Sequence, residues 1–269
     1  MFAHTGRIDT GIKIMFTRGV AMSLALAVTA APHRMPANTR AHACETCAAR
    51  RSSICGAMHD QDLGRLAAIR APQTVAPGQT FLEEGEPATH FFNIIEGALK
   101  VYKLMADGRR QITGFLFAGD LLGLAFNESY TYSAEAITTV RICRFPRRPL
   151  ERLLDEFPKM EKRLLAMASN ELAAAQAQMM LLGRKTAHER IASFLLSLAE
   201  RQERLGDGDE VLHLPMTRTD IADFLGLTTE TASRVFTSLK KRGYITLESS
   251  DRVRITDRDE LEELASGLE

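Results

Sequence analysis

The sequence predicts an α+β protein: an N-terminal β-roll of jelly-roll type, one long helix, then a C-terminal pair of short helices followed by a β-hairpin. Three observations carry this. Short β-rich runs separated by glycine turns fill the span from Val75 to Phe145. An uninterrupted helical pattern follows Pro158. Two capped helices with a glycine between them begin near Thr217.

At 269 residues the chain has room for two domains. With 45% hydrophobic and 25% charged residues and no net charge, its composition is that of an ordinary globular protein. Zero net charge means that any nucleic-acid contact must come from local charge placement. Residues 1–40 stand apart as a disordered or mis-started extension. The apolar run Ala21–Ala31, after Lys13 and Arg18, resembles the apolar part of a secretory signal but is too short to span a bilayer. Translation from Met15, Met22 or Met35 would remove part of it. A cytoplasmic protein without a membrane segment is expected.

Residues 41–62 form a cysteine-rich segment, with Cys44, Cys47 and Cys55 spaced C-x2-C-x7-C. The remaining cysteine, Cys143, lies far downstream. Four cysteines so unevenly placed do not make a disulfide scaffold. Thiolates are soft ligands suited to iron–sulfur clusters or zinc, and spacing alone leaves both open.

Residues 63–157 are assigned to the roll. A short helical pattern over Leu63–Ile69 leads into it. Strand-like runs follow at Thr80–Leu82, His90–Ile95, Leu99–Leu104, Gln111–Phe117 and Val140–Phe145. Turn chemistry at Pro77-Gly78, Glu84-Gly85, Glu96-Gly97, Asp107-Gly108 and Gly119-Asp120 separates them.

Residues 158–184 form the long helix. Leu165, Ala168, Leu172, Ala175, Met179 and Leu182 step by threes and fours, which makes a heptad seam suited to pairing with a second copy. The two alanines remove packing volume from that seam, so a weak, switchable homodimer is expected.

Residues 185–269 complete the chain. A helix over 186–204 precedes Gly206. Thr217 caps the next helix with Asp220 three residues on, as in a capping box. Ile221, Ala222 and Leu225 form its inner face, and Gly226 permits the turn. Thr228 caps a second helix with Ala232, Val235, Phe236 and Leu239 inward. Two β-like runs, Tyr244–Leu247 and Arg252–Ile255, complete a winged helix-turn-helix that binds double-stranded DNA. Glu230, Ser233 and Arg234 lie where base edges are read, and Lys240 and Lys241 can neutralise phosphates. Thr217, Arg218 and Thr229 are further candidate DNA contacts.

These features together resemble the CRP/FNR superfamily of bacterial transcription regulators over nearly everything from Cys44 to Leu264. The resemblance rests on the glycine-spaced roll, Gln111–Phe115, Ala118–Leu121, the long interdomain helix and the Glu-x-x-Ser-Arg pattern of Glu230–Arg234. That pattern is similar to the FNR branch. It implies a cyclic-nucleotide-binding-like roll, a homodimer, RNA polymerase as a partner, and a palindrome of the TTGAT-N4-ATCAA type. Arg234 and Glu230 would read its G·C pairs.

The same resemblance implies that Cys44, Cys47, Cys55 and Cys143 ligate a [4Fe–4S] cluster sensitive to oxygen. The superfamily's best-known roll ligand is a cyclic nucleotide held by an arginine on its phosphate, but none is expected here, because Leu124–Ala134 holds no arginine or lysine. The branch carries an acid on the dimer helix that opposes pairing. Leu172–Leu182 has none, so readier dimerisation is expected. The alternatives are a cluster-independent regulator with structural zinc, or one that senses cysteine oxidation directly. A thiol oxidoreductase using Cys44 and Cys47 lacks the βαβ setting that such motifs need. The protein is not expected to be an enzyme.

Overall fold

Two four-stranded antiparallel sheets form the roll, and a computed structural model describes residues 43–124, 128–205 and 211–267. The expected N-terminal extension, Ala21–Ala31 with it, and the turn at Gly206 lie outside the described residues. Short 3-10 turns at Ala48–Arg50, Ile54–Ala57 and Asp60–Asp62 lead into helix α1 (Leu63–Ile69).

The strands are β1 (Ala71–Val75), β2 (Thr80–Leu82), β3 (His90–Glu96), β4 (Leu99–Leu104), β5 (Arg110–Leu116), β6 (Leu121–Leu122), β7 (Ser133–Ala136) and β8 (Val140–Pro146). One sheet runs β1-β8-β3-β6 and the other β2-β7-β4-β5. Their facing sides bury Val75, Phe92, Ile94, Leu99, Leu116, Val140 and Ile142. Successive strand residues point to opposite faces, so on β8 Val140 and Ile142 enter this interior. Cys143 and Phe145 instead face outward, into a second apolar cluster.

That second cluster decides where the cysteine site sits. Ile54, Met58, Leu63 and Leu66 from the N-terminal segment meet Phe91, Cys143 and Phe145 from the sheet. Leu150, Leu153 and Leu154 of α2 (Arg147–Glu156) and Met160 of α3 (Pro158–Arg184) complete it. The cysteine segment is thus pinned between the outer face of the roll and the start of the long helix.

Pro158 opens α3 at a position that needs no backbone donor. Only Met160 of this helix is buried. Leu165, Leu172 and Met179 stay 70%, 61% and 65% exposed, so three of the six seam residues form an apolar stripe open to solvent. Ala175 is also exposed, whereas Ala168 and Leu182 are half-buried. Leu182 differs from the expectation for a purely intermolecular seam. Its side chain lies beside the Gly226 turn, where a Cβ on that glycine would meet Leu182 Cδ2 at 3.3 Å.

The C-terminal domain contains α4 (Ala187–Leu205), β9 (Val211–His213), α5 (Arg218–Leu225), α6 (Thr229–Arg242), β10 (Ile245–Leu247), β11 (Arg252–Ile255) and α7 (Arg258–Ser266). The wing is a three-stranded sheet, β10-β11-β9, where the sequence indicated a two-stranded hairpin. Gly226 turns the chain between α5 and α6 at φ 63°, a left-handed conformation that favours glycine. Arg190 braces the same corner. Its guanidinium donates to Leu182 O and Lys185 O at the end of α3, and to Leu225 O at the end of α5, each at 2.9 Å. Carbonyls that helix ends leave without intrahelical donors are satisfied by one side chain.

Candidate cluster and DNA sites

Cys44, Cys47, Cys55 and Cys143 all line one cavity of about 740 Å³ on the outer face of the β1-β8-β3-β6 sheet. All four are free thiols. Cys44 and Cys143 are buried, and Cys47 and Cys55 half-buried. Local turns fix the first three. Cys47 N–H donates to Cys44 O at 3.4 Å, and Arg50 N–H donates to Cys47 O at 3.0 Å. Ser53 Oγ accepts from Cys55 N–H at 3.3 Å. Cys143 is opposite Pro72 of β1 and Asn93 of β3 in the sheet, so its position is set by register.

Burial raises the thiol pKa values of Cys44 and Cys143, and pushes Cys55 up to about 12. The nearby sulfurs add to each rise by mutual repulsion. Such thiols are weak nucleophiles when no metal replaces the proton. Arg70 supplies the closest cation, with Nη1 donating to Cys143 Sγ at 3.5 Å. Asn93 also lines the cavity, and its buried Oδ1 has no hydrogen-bond partner.

The donor set is therefore four sulfurs, one adjacent arginine and an amide, in a space larger than a single ion needs. Among the described residues, no three His, Cys, Asp or Glu side chains converge as ligands of one ion. Arg50, Arg51 and Arg141 are the arginines nearest the cysteines in sequence. Arg141 does line the cavity, but its guanidinium pairs with Glu96 at 3.0 Å, while Arg50 pairs with Asp60 at 2.6 Å. Sequence reasoning missed Arg70 and Asn93. Arg70 ends α1 just before β1, and only the sheet register brings it to Cys143.

A third missed residue links the cavity to α3. Arg163 Nη2 donates to Arg51 O at 2.8 Å and to Ser52 O at 2.9 Å, and Nε donates to Ser53 O at 3.1 Å. These carbonyls belong to the turn that leads into Cys55. Gly119 approaches the same turn at φ 95°, and a Cβ there would stand 2.2 Å from Ser52 Oγ.

The candidate DNA-reading face lies on α6. Thr228 Oγ1 accepts from Thr231 N–H at 3.1 Å and starts the helix. Glu230 and Arg234 are both exposed and form an ion pair at 2.6 Å, one turn apart. Ser233 Oγ donates back to Thr229 O at 2.8 Å. Thr229, Ser233, Lys240 and Lys241 are exposed, the two lysines at the helix end, where cations are favoured.

Two candidate DNA contacts are already engaged within the domain. Thr217 Oγ1 donates to Asp220 Oδ2 at 2.6 Å and accepts from Asp220 N–H at 3.1 Å, which makes a full capping box. Arg218 is engaged by the reading helix itself. Its guanidinium stacks 3.7 Å over the Phe236 ring and is half-buried, and burial lowers its pKa. It serves the packing of α5 on α6.

The comparisons with known proteins agree with this architecture. A family model described as a cyclic nucleotide-binding domain matches residues 72–157, and one described as a Crp-like helix-turn-helix domain matches residues 189–264. The chain is 40% identical to the nitrogen fixation regulation protein FixK of Bradyrhizobium diazoefficiens over 206 residues, covering 77% of this chain and 87% of that protein. It is 36% identical to the transcriptional activator protein FnrL of Cereibacter sphaeroides over 229 residues, covering 84% and 92%. The solved structure of FixK2 from Bradyrhizobium japonicum is similar at TM-score 0.68 and 35% identity, over 73% of this chain and 97% of that one. Among the described residues, no helix is long and apolar enough to cross a membrane.

Proposed function

The chain belongs to the CRP/FNR family of DNA-binding transcription regulators, and from that premise we propose that Cys44, Cys47, Cys55 and Cys143 hold one [4Fe–4S] cluster that makes DNA binding depend on oxygen. The observation that carries this reading is the convergence of all four cysteines, from two distant parts of the chain, on one cavity. When bound, the cluster supplies an oxygen-labile centre that four thiolates share.

The protein's own residues couple that site to pairing. Cys143 sits in the rigid sheet, while Cys44, Cys47 and Cys55 sit on a segment held by short turns. Ligation by all four joins segment to sheet. Ile54 and Met58 then stay in the outer apolar cluster with Met160, and Arg163 keeps its grip on the carbonyls before Cys55. Arg163 lies two residues from Leu165, at the start of the exposed stripe. Bracing the segment therefore braces the half of α3 that meets a second copy. Without that ligation the brace loosens and the dimer separates.

Dimerisation places two α6 helices about one DNA turn apart, suited to a TTGAT-N4-ATCAA-like palindrome. Separation forfeits the high effective concentration of the second reader. The protein works in the cytoplasm, where the bound dimer contacts RNA polymerase. No cyclic nucleotide is assigned, because residues 124–134 include no cation to meet its phosphate. Structural zinc fits less well, since zinc draws four sulfurs to about 2.3 Å from one point. Direct cysteine oxidation is disfavoured by burial of Cys44 and Cys143.

The test is anaerobic purification with iron, zinc and acid-labile sulfide counting, then a DNA-shift assay before and after air. The expected result is about four iron and four sulfide per chain, with DNA affinity lost as the colour fades. A colourless or zinc-loaded protein that binds its palindrome at full strength overturns the proposal.

A further inference from the structure

A buried charge cluster, separate from both the cysteine cavity and the DNA face, joins the roll to the first helix of the helix-turn-helix. Lys100 on β4 and Asp220 on α5 are 7% and 6% exposed, and Lys100 Nζ donates to Asp220 Oδ1 at 2.8 Å. Lys100 is opposite Glu135 of β7 in the sheet and pairs with it at 3.0 Å, so its ammonium is held in place from the roll side. Arg110 of β5 reaches Asp220 at 3.4 Å, Asp223 at 3.2 Å and Glu135 at 3.5 Å.

Asp220 divides its two oxygens between two tasks. Oδ2 accepts from Thr217 N–H and Oγ1–H, which starts α5, while Oδ1 takes the cations of the roll. Asp223 forms the second anchor. Its Oδ1 accepts from Ile112 N–H at 3.0 Å, and its main-chain oxygen accepts from Gln111 Nε2 at 2.6 Å. Strand β5 lies at the edge of its sheet, so α5 also covers an open strand edge.

Buried ion pairs are a poor source of net stability, because desolvation offsets most of their attraction. Apolar contact already joins these parts, since Phe115 of β5 packs on Phe224 of α5 with ring centroids 5.2 Å apart. What directional charge pairs add to that contact is orientation. Helix α6 packs on α5 and stays exposed on its reading side in this arrangement.

We propose that Lys100 and Arg110 are positioning residues for DNA reading: by gripping Asp220 and Asp223 they hold α5, and through it α6, at a fixed orientation to the roll and α3. They touch no DNA. A paired protein needs that orientation to engage both half-sites at once, whereas a single reader on one half-site does not. The inference does not depend on what the cysteines hold.

The test uses the full-length protein in its DNA-binding state. The variants are Lys100→Met, Lys100→Arg and Asp223→Asn, the last leaving the capping box intact. Affinity is measured for the palindrome and for a duplex with one half-site, across a salt series. Lys100→Met and Asp223→Asn are expected to weaken palindrome binding tenfold or more, leave single half-site binding within twofold, and keep the wild-type salt slope. Lys100→Arg restores most of the palindrome affinity. Three results would each overturn the proposal: unchanged palindrome binding by both weakening variants, tighter binding on loss of the grip, or equal losses on both duplexes. A salt slope reduced by about one for Lys100→Met would make Lys100 a phosphate contact instead.

Discussion

Replacing Leu172 with alanine tests whether the exposed stripe on α3 is the pairing surface. Fully covering a leucine side chain is worth about 1.5–3 kcal/mol. Leu172 is 61% exposed in the single chain, so pairing can add only about 1–2 kcal/mol for each copy. Truncation in both copies therefore removes about 2–4 kcal/mol, which raises the dimer dissociation constant about 30- to 900-fold. Alanine is a better helix former than leucine, and Leu172 is mostly exposed, so the isolated subunit keeps its thermal stability. Sedimentation velocity over a concentration series, performed anaerobically on wild type and Leu172→Ala, reads the change directly. A shift below threefold would refute the assignment. On the same arithmetic Leu165, Leu172 and Met179 from two copies contribute about 6–12 kcal/mol, comparable to the cost of association itself, so the proposed pairing is marginal.

Arg234→Ala should lose about 1–3 kcal/mol of specific binding and relax preference at one base pair in competition assays. Lys241→Ala should instead weaken all sequences alike and lower the salt slope by about one. Arg163→Gln removes a charge-assisted clamp worth roughly 2 kcal/mol in this half-exposed setting, so hydrogen exchange should speed up over residues 51–58 and not in the roll interior. Gly119→Ala adds left-handed strain of about 1–2 kcal/mol and drives a methyl into Ser52. Lower thermal stability and faster colour loss in air are expected, and an unchanged protein would mean that Ser52 swings aside. Burial opposes ionisation of Asp220, but hydrogen bonds from Lys100 and Thr217 outweigh it and hold the carboxyl below its usual range. Its stabilisation is thus present above the ordinary aspartate value and lost as pH falls through the lowered one, below about pH 4. Limited proteolysis between roll and reading domain should be flat from pH 8 to 5 and rise only below that.

Local chemistry made much of the fold legible. The Thr217 and Thr228 caps, the Gly226 turn and the strand punctuation all act within a few residues, so their signals lie in short windows. Elements whose signals were weaker escaped notice. β9 is three residues long and pairs only with β11, and β7 reads Ser-Ala-Glu-Ala with little strand character. Helix α7 carried a usable signal: Asp257 accepts from Glu260 N–H as a cap, with Leu261 and Leu264 buried behind it. Arg218 was one of the candidate DNA contacts. Only the packing of α5 on α6 reveals Phe236 beneath it. The four cysteines stood out by type and spacing, whereas Arg70 and Asn93 reach their cavity through sheet register.

What the sequence hides is how the parts are joined. Arg163, Arg190 and Lys100 each bridge elements by placing a cation on carbonyl or carboxylate oxygens, and only Arg190 has some of its partners nearby in sequence. An apolar joint would hold these parts together as strongly, yet would tolerate sliding, since dispersion and hydrophobic contact are weakly directional. A guanidinium shared among three carbonyls, or an ammonium between two carboxylates, loses most of its energy when displaced by an ångström or two. Each joint is therefore steeply sensitive to displacement, which suits it to the proposed coupling of the cysteine cavity to α3 and α6. Arg163 and Arg190 lie along that route, and Lys100 links the roll to α5 directly. Arg163 lies between the cavity and the pairing stripe, Arg190 between the end of α3 and the helix-turn-helix corner, and Lys100 between the roll and the start of α5. Breaking Arg163 should uncouple pairing from the cavity while a formed dimer still reads DNA, and breaking Lys100 should spare pairing while spoiling the reading.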